Sequence, residues 1–481
     1  MSRVFSLPVG WSLVIGLEVH VQLLTRTKAF CACSTDFGAA PNTHTCPVCL
    51  ALPGALPVLN REAVELATRA SLALGATVHE TSIFARKNYF YPDLPKGYQI
   101  SQFDRPLATG GAVVLSDGTR IGITRLHMEE DAGKSVHDKY AGATAIDLNR
   151  AGVPLAEIVS EPDLRTPADA AAYLRALKQI LEYCAISNCS MEEGSLRVDA
   201  NVSVRRDGET AFRTKTEVKN MNSFSGVERA IEAEALRQIA VYESGGTVEQ
   251  QTMLWDGAKG EVRPARSKEG SHDYRYFPEP DLPPLIVSAA EQARIAATVP
   301  ELPAARRARF ESAYGVSAQD ADVLCADRAV ADYFEAVATA SKQGKAAANW
   351  ITGEVLAYCN ANGTTITAYP VTAQRLAELI ALVQGGTVSA SAGKQVLAKM
   401  LDSADAPSVI AAREGLVQVQ DDSALVGWID EVFAEHPAEA ARFIGGETKL
   451  QGVLVGFVMK KSKGSADPRK LNQLLASRVG G

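Results

Sequence analysis

Cys31-Ala-Cys33 and Cys46-Pro-Val-Cys49 set two thiol pairs twelve residues apart. Tetrahedral Zn²⁺ takes four soft ligands at about 2.3 Å, and two close pairs joined by a short loop reach round one ion with little distortion. The spacing predicts a structural zinc site on Cys31, Cys33, Cys46 and Cys49; four reduced thiols lining a loop is the plainer alternative. His44 lies between the pairs, where it could replace one sulfur or simply face solvent. Cys184, Cys189, Cys325 and Cys359 stand singly and read as small buried apolar residues.

A second kind of chemistry is carried by carboxylates. In Leu13-Val-Ile-Gly-Leu-Glu18-Val-His20-Val-Gln22, strict alternation puts Glu18, His20 and Gln22 on one strand face and Leu17, Val19 and Val21 on the other. Arg125-Leu-His127-Met-Glu129-Glu130-Asp131 masses three acids beside Arg and His, and Leu155-Ala-Glu157-Ile-Val sets an acid inside an apolar run. A lone charge there is costly unless it is paired or bound to a cation. Leu196-Arg-Val-Asp199-Ala-Asn201-Val-Ser203-Val-Arg205 alternates again, with Arg197, Asp199, Asn201, Ser203 and Arg205 on its polar face. Hard oxygen ligands from several strands beside Arg and Lys suit a Mg²⁺-nucleotide site. Salt-bridged polar sheet faces would give the same pattern. Gly133-Lys134-Ser135 resembles the end of a phosphate loop, but Met128 stands where that motif needs Gly, and no Gly-x-Gly-x-x-Gly follows a strand.

The elements that must position these groups differ between the two ends of the chain. Residues 14–24, 120–128 and 196–206 read as strands, and 61–74, 168–184 and 227–244 as helices, with Thr166-Pro167 a helix start. Beyond the Pro-rich stretch 279–285 the pattern turns helical throughout, with helices expected over 291–298, 302–314, 318–325, 329–341 and 345–361. The fold class expected is α+β: a large mixed-sheet cradle domain over 1–292, an all-α domain over 293–405 and a small helical tail over 406–481. No tandem repeat is present.

The 481 residues, at roughly 150 per domain, also suggest about three domains. A formal charge of −7, from 49 Lys and Arg against 56 Asp and Glu, excludes a protein that coats nucleic acid with a globally basic surface. No apolar run reaches the length of a membrane span and no basic region with an apolar core opens the chain, so a cytoplasmic protein is expected, with its cysteines reduced.

Several longer motifs go further. Val14-Ile-Gly-Leu-Glu-Val-His20, Arg86-Lys-Asn-Tyr-Phe-Tyr-Pro-Asp93, Lys96-Gly-Tyr-Gln-Ile-Ser-Gln-Phe-Asp104, Leu126-His-Met-Glu-Glu-Asp-Ala-Gly-Lys134, Asp147-Leu-Asn-Arg150, Glu157-Ile-Val-Ser-Glu-Pro-Asp163, Met191-Glu-Glu-Gly-Ser195 and Lys219-Asn-Met-Asn-Ser-Phe224 together resemble the B-subunit family of the bacterial tRNA-dependent amidotransferases. The resemblance covers essentially the whole chain. It implies a subunit that uses ATP and Mg²⁺ to phosphorylate the side-chain carboxyl of mischarged Glu-tRNA(Gln), Asp-tRNA(Asn) or both. Its partners would be an amidase (A) subunit that supplies ammonia from glutamine and a small C subunit. Carried over by motif, Glu18, His20, Glu129, Glu130 and Glu157 would be the Mg²⁺ and kinase-site residues, with Glu130, His20 and Glu157 catalytic. Lys87 and Lys96 would line the ammonia tunnel, favouring neutral NH₃ over NH₄⁺, and the zinc would be structural.

The same resemblance gives the tail a tRNA-binding role. From 449 onward Lys449, Lys460, Lys461, Lys463, Arg469, Lys470 and Arg478 face one acid, Asp467. Composition alone reads such a run as a solvated face. With the family's tail function, Lys460, Lys461, Lys463, Arg469 and Lys470 become phosphate contacts, which position a nucleic acid without reading its bases.

Overall fold

Alternation along Trp11–Gln22 builds the centre of the protein. The computed structural model describes residues 5–140, 142–265, 274–419, 421–462 and 464–479; Lys463 lies outside them. The chain divides into two compact units, Met1–Pro303 and Ala304–Gly481.

The first unit is organised on a ten-stranded sheet. Its strands are β1 (Trp11–Gln22), β2 (Thr77–Val78), β3 (Ala108–Thr109), β4 (Ala112–Val114), β5 (Arg120–Glu130), β6 (Pro154–Ser160), β7 (Leu196–Arg206), β8 (Thr216–Lys219), β9 (Thr252–Asp256) and β10 (Glu261–Pro264). The spatial order is β10-β9-β8-β7-β1-β6-β5-β3-β2, with β4 pairing β5 off this path. β1 is antiparallel to both neighbours, β6 and β7. β8 and β9 are parallel, and their crossover runs through helix α3 (Phe224–Glu243).

Leu13, Ile15, Leu17, Val19 and Val21 of β1 are buried in a core shared with Leu66 and Ala70 of α1 (Arg61–Ala73), Leu174 and Leu177 of α2 (Pro167–Tyr183), and Val227 and Ile231 of α3. Each such side chain is worth about 1.5–3 kcal/mol when fully buried. A one-residue slip of β1 would turn all five to the polar face, so the hydrophobic face fixes the register and leaves Glu18, His20 and Gln22 on the other side. The helix start at Thr166-Pro167 is a capping box. The Asp169 N–H donates to Thr166 Oγ1 at 3.1 Å, and the Thr166 N–H donates to the Asp169 carboxylate at 3.0 Å.

The Pro-rich stretch packs within the first unit. Glu279 is buried and receives a bidentate pair from Arg86 at 2.7 and 2.8 Å, and Leu285–Ile286 pairs with Thr81–Ser82 as a two-stranded ribbon. Helix α4 (Ala289–Ala296) also belongs to this unit: Ile295 is buried and Arg294 pairs with Glu65 of α1. The first unit therefore runs past 292 to Pro303.

The second unit is helical, with two separate apolar clusters. One gathers Phe310, Phe334, Ile351, Leu376 and Val396; the other gathers Leu425, Ile429, Phe443, Leu454 and Leu471. Helix Pro407–Arg413, which the expected tail domain would contain, packs into the first cluster through Ile410 and Ala411. The helix expected over 345–361 is interrupted by a π-helical segment, Ile351–Val355. Among the described residues no helix is long and apolar enough to cross a membrane.

The tail's cations are less free than its sequence suggests. Helix Asp422–Glu435 lays its acids beside them: Lys461 lies 2.7 Å from both Glu431 and Glu435, Lys470 is 3.0 Å from Asp422, and Arg478 is 3.1 Å from Asp430. Among the described residues no ion pair engages Lys449, Lys460 or Arg469.

Candidate active site and metal centre

Strand register brings the acids together. In an antiparallel pair, directly opposed residues share a face at about 4.5–5.5 Å between Cβ atoms. His20 of β1 sits between Arg197 of β7 and Glu157 of β6, and Glu157 is opposed by His127 of β5. Glu18 is opposed by Asp199. Two clusters result on the polar side of the sheet.

In the first, His20 Nε2 is 3.6 Å from Glu129 and 3.5 Å from Glu157, while His127 Nε2 is 3.1 Å from Glu157 and 3.9 Å from Glu129. Burial alone would raise the Glu157 carboxyl, but His127 and His20 outweigh it and hold the pKa well below the ordinary carboxylate range. Burial likewise opposes the His20 charge, yet Glu157, Glu129 and Asp199 raise its pKa from 6.5 to about 9. One ligand atom each from His20, Glu129 and Glu157 lies within 4.8 Å of the others, and the buried His127 Nδ1 has no hydrogen-bond partner among the described residues. Two nearly buried carboxylates with an imidazole at this spacing fit a divalent cation.

In the second cluster Glu18, Asp199 and Glu217 also offer ligand atoms within 4.8 Å of one another. Asn201 donates to Glu18 at 2.9 Å, and Lys219 Nζ lies 2.6 Å from Asp199 and 3.0 Å from Glu217. Three oxygen ligands with an ammonium alongside fit a hard cation carrying phosphate. A cavity of about 210 Å³ adjoins it, lined by Gly16, Glu18, Asn201, Ser203, Phe212 and Lys215 among others.

Glu130 does not join either cluster. Its carboxylate pairs with Lys96 and accepts from the Ile100 N–H at 2.9 Å, whereas the adjacent Glu129 faces His20. Asp131, buried, is held by Arg197 at 2.9 Å and Gln22 at 3.0 Å. Lys87 Nζ stacks 4.9 Å over the Tyr274 ring. Burial works against its charge, but Glu129, Tyr276 and Glu157 outweigh it and hold its pKa above the usual lysine value. The Gly133-Lys134-Ser135 decoy has a packing explanation: a Cβ on Gly133 would sit 2.9 Å from the Asp147 carbonyl and 3.0 Å from that of Asp93.

The cysteine quartet is assembled. Cys49 Sγ lies 3.6 Å from Cys31, 3.8 Å from Cys46 and 3.8 Å from Cys33, and all four sulfurs fall within 4.8 Å of one another. A tetrahedron with bonds of about 2.3 Å has edges of about 3.8 Å, so the donor set and spacing fit zinc. A hydrogen bond from Cys31 lowers the Cys49 thiol to about 4, against burial and aided by the Lys28 charge; burial pushes Cys33 up to about 11. His44 is outside the four-sulfur group, and its buried Nδ1 has no hydrogen-bond partner among the described residues. Its N–H donates to Asn149 Oδ1 at 2.8 Å and its carbonyl accepts from Lys28 at 2.7 Å.

Two family models match, one described as the GatB/GatE catalytic domain over residues 13–293 and one as the GatB domain over 332–479. The chain belongs to the amidotransferase B-subunit family. A protein of Myxococcus xanthus, named as the B subunit of an aspartyl/glutamyl-tRNA(Asn/Gln) amidotransferase, is 51% identical over 97% of this chain and 98% of its own length. Proteins of the same name from Thermosynechococcus vestitus, 52% identical over 97% of this chain and 96% of theirs, and Laribacter hongkongensis, 51% over 98% and 100%, are similarly close.

His127, Asp199 and Glu217 lie outside the site residues that the family resemblance implies. Asp199 could be found from the alternation of β7. Glu217 sits on a four-residue strand that offers almost no periodic signal.

The charged His20 has a measurable consequence. Its folded pKa stands above the ordinary 6.5, so the stabilisation it brings is full below 6.5 and is lost as pH rises through about 9. Urea denaturation of the metal-free chain should show stability falling across that window, by up to about 1.4 kcal/mol per pH unit, and His20→Gln should flatten the profile. A wild-type profile without this fall would refute the pairing.

Proposed function

We propose that this chain is the ATP-dependent subunit of a glutamine-dependent amidotransferase, converting Glu-tRNA(Gln) to Gln-tRNA(Gln), Asp-tRNA(Asn) to Asn-tRNA(Asn), or both. One observation carries the reading: the catalytic-domain match over 13–293 falls on the sheet that gathers His20, Glu129 and Glu157 beside Glu18, Asp199 and Glu217.

A carboxylate is a poor acyl donor, because its leaving group would be oxide. Attack of a carboxylate oxygen on the γ-phosphorus of ATP forms an acyl phosphate and expels ADP. The lone pair of ammonia then attacks the carbonyl carbon, the bond to phosphate breaks, and the amide and inorganic phosphate leave. Two anions must meet in the first step, so cations at the site are required. His20, Glu129 and Glu157 would hold one Mg²⁺ and Glu18, Asp199 and Glu217 a second; when bound, these ions neutralise phosphate oxygens. As a ligand, His20 would offer a neutral imidazole, its proton lost to solvent. Lys219 and Arg197 flank the clusters as fixed positive charges, and the cavity beside Glu18 and Asn201 would seat the nucleotide.

Lys96 and Glu130 border a small cavity of about 20 Å³, and with Lys87 they would line the delivery of ammonia from an amidase subunit. A cation there repels NH₄⁺ and admits NH₃. A small third subunit and tRNA complete the assembly, in the cytoplasm.

With amidase partner, mischarged tRNA, ATP and Mg²⁺, the reading predicts release of the γ-phosphate that depends on the aminoacyl group. A chain serving only as a tRNA-binding scaffold would release none. For the tail, Lys460→Glu with Arg469→Glu should weaken tRNA binding on the order of tenfold and flatten the salt dependence by about two contacts, whereas Lys461→Glu, already shared between Glu431 and Glu435, should cost less. Equal losses, read by filter binding at several salt concentrations, would count against the assignment.

A further inference from the structure

Lys28 is among the largest side chains with no exposed surface. A buried ammonium is costly unless its three donors are matched. Nζ donates to the His44 carbonyl at 2.7 Å, to the Leu148 carbonyl at 3.2 Å and to Cys49 Sγ at 3.5 Å. Among the described residues no carboxylate comes within 4.0 Å of it, so its charge has no counter-ion other than the sulfur cluster. Four thiolates round one Zn²⁺ leave an excess of about two negative charges. The excess anion and the unpaired cation meet at Cys49.

We propose that Lys28 is the charge-compensating partner of the four-thiolate centre, donating a hydrogen bond to Cys49 Sγ that sets how tightly the centre holds zinc. This rests on the reading of the quartet as a zinc site. Lys28 is a positioning residue and touches no substrate. Its other two bonds tie the metal loop, at His44, to the segment around Leu148, so one atom pins both. Its side chain also walls the small cavity bordered by Lys96 and Glu130.

The test uses the full chain with its partners, as wild type, Lys28→Met and Lys28→Gln. Zinc content and competition with a chromophoric chelator give stoichiometry and affinity; cobalt substitution gives the sulfur-to-metal charge-transfer band. The wild type should hold about one zinc per chain. Lys28→Met should bind it about 10–100-fold more weakly. Its cobalt band should move to longer wavelength, because a thiolate that loses a donor holds its lone pairs less tightly. Lys28→Gln, uncharged but still a donor, should fall between, and it carries the test if the Met variant does not fold. A wild type that binds no zinc overturns the quartet reading and this proposal with it. A wild type with one zinc, beside variants of unchanged affinity and unmoved band, overturns the proposal alone.

Discussion

Replacing Glu157 with Gln should abolish amide formation on mischarged tRNA while leaving the complex assembled and its glutamine hydrolysis intact. Glu157 is nearly buried and stands between His20 at 3.5 Å and His127 at 3.1 Å. Gln keeps the volume, so packing against the sheet is spared, but the charge that holds both imidazoles is lost. Removing a single preorganised electrostatic group costs about 10²–10³ in rate. Here the same change also strips one carboxylate from the cluster of His20, Glu129 and Glu157, so the expected loss exceeds about a thousandfold. Single-turnover phosphoryl transfer with saturating tRNA separates this from weakened tRNA binding. Normal amidation by the variant would sink the placement of the site. A parallel Glu130→Gln change should behave differently. It breaks the pair with Lys96 without touching the His20 cluster, so tRNA-dependent ATP hydrolysis should persist while coupling to ammonia falls.

Cys46→Ser should empty the sulfur cluster and unravel the loop that carries it. Between β1 and α1 the chain from 23 to 60 has no helix and no strand beyond an isolated bridge between Thr27 and Ser34. Much of its apolar surface beyond Phe30 lies open, for Phe37 is 75% exposed, Leu56 61% and Val58 74%. Hydrogen bonds tie Asn42 and His44 to residues 146–149, and a metal crosslink at the four thiols would supply further order to a stretch of that length. Zinc content should fall from about one per chain to near zero, and limited proteolysis should cut within 31–58, while the helical unit keeps its thermal transition. Unfolding is expected to be local because Phe30 and Ala29 at one end belong to the main core and Asn60 at the other caps α1. A protease-resistant, fully ordered loop in the zinc-free variant would refute the structural role.

Legibility along the chain followed the strength of each local signal. β1 and β7 alternate over eleven or twelve residues, and their polar faces, with Glu18, His20, Asp199 and Asn201, can be read directly. The end of β5 cannot be read this way, because residues 126–130 are all buried whichever face they take. Two adjacent acids, Glu129 and Glu130, then look equivalent, and only the pleat sends one to His20 and the other to Lys96. The tail misleads in another manner. Its cations cluster in sequence, but the acids that pair with Lys461, Lys470 and Arg478 come from helix Asp422–Glu435, some tens of residues earlier.

The sequence by itself determined the element types, the four-thiol centre, the polar faces of the long strands and, through extended motifs, the family. These are local properties: periodicity, cap chemistry and ligand spacing act over a few residues. Tertiary structure alone decided which strands became neighbours. It placed Glu217 beside Asp199 through the β7–β8 pairing, set Glu157 between two imidazoles, bound the Pro-rich stretch to the first unit and buried Lys28 against Cys49. Such contacts join residues far apart in the chain, and their energies depend on burial and charge that exist only once the sheet has closed round them.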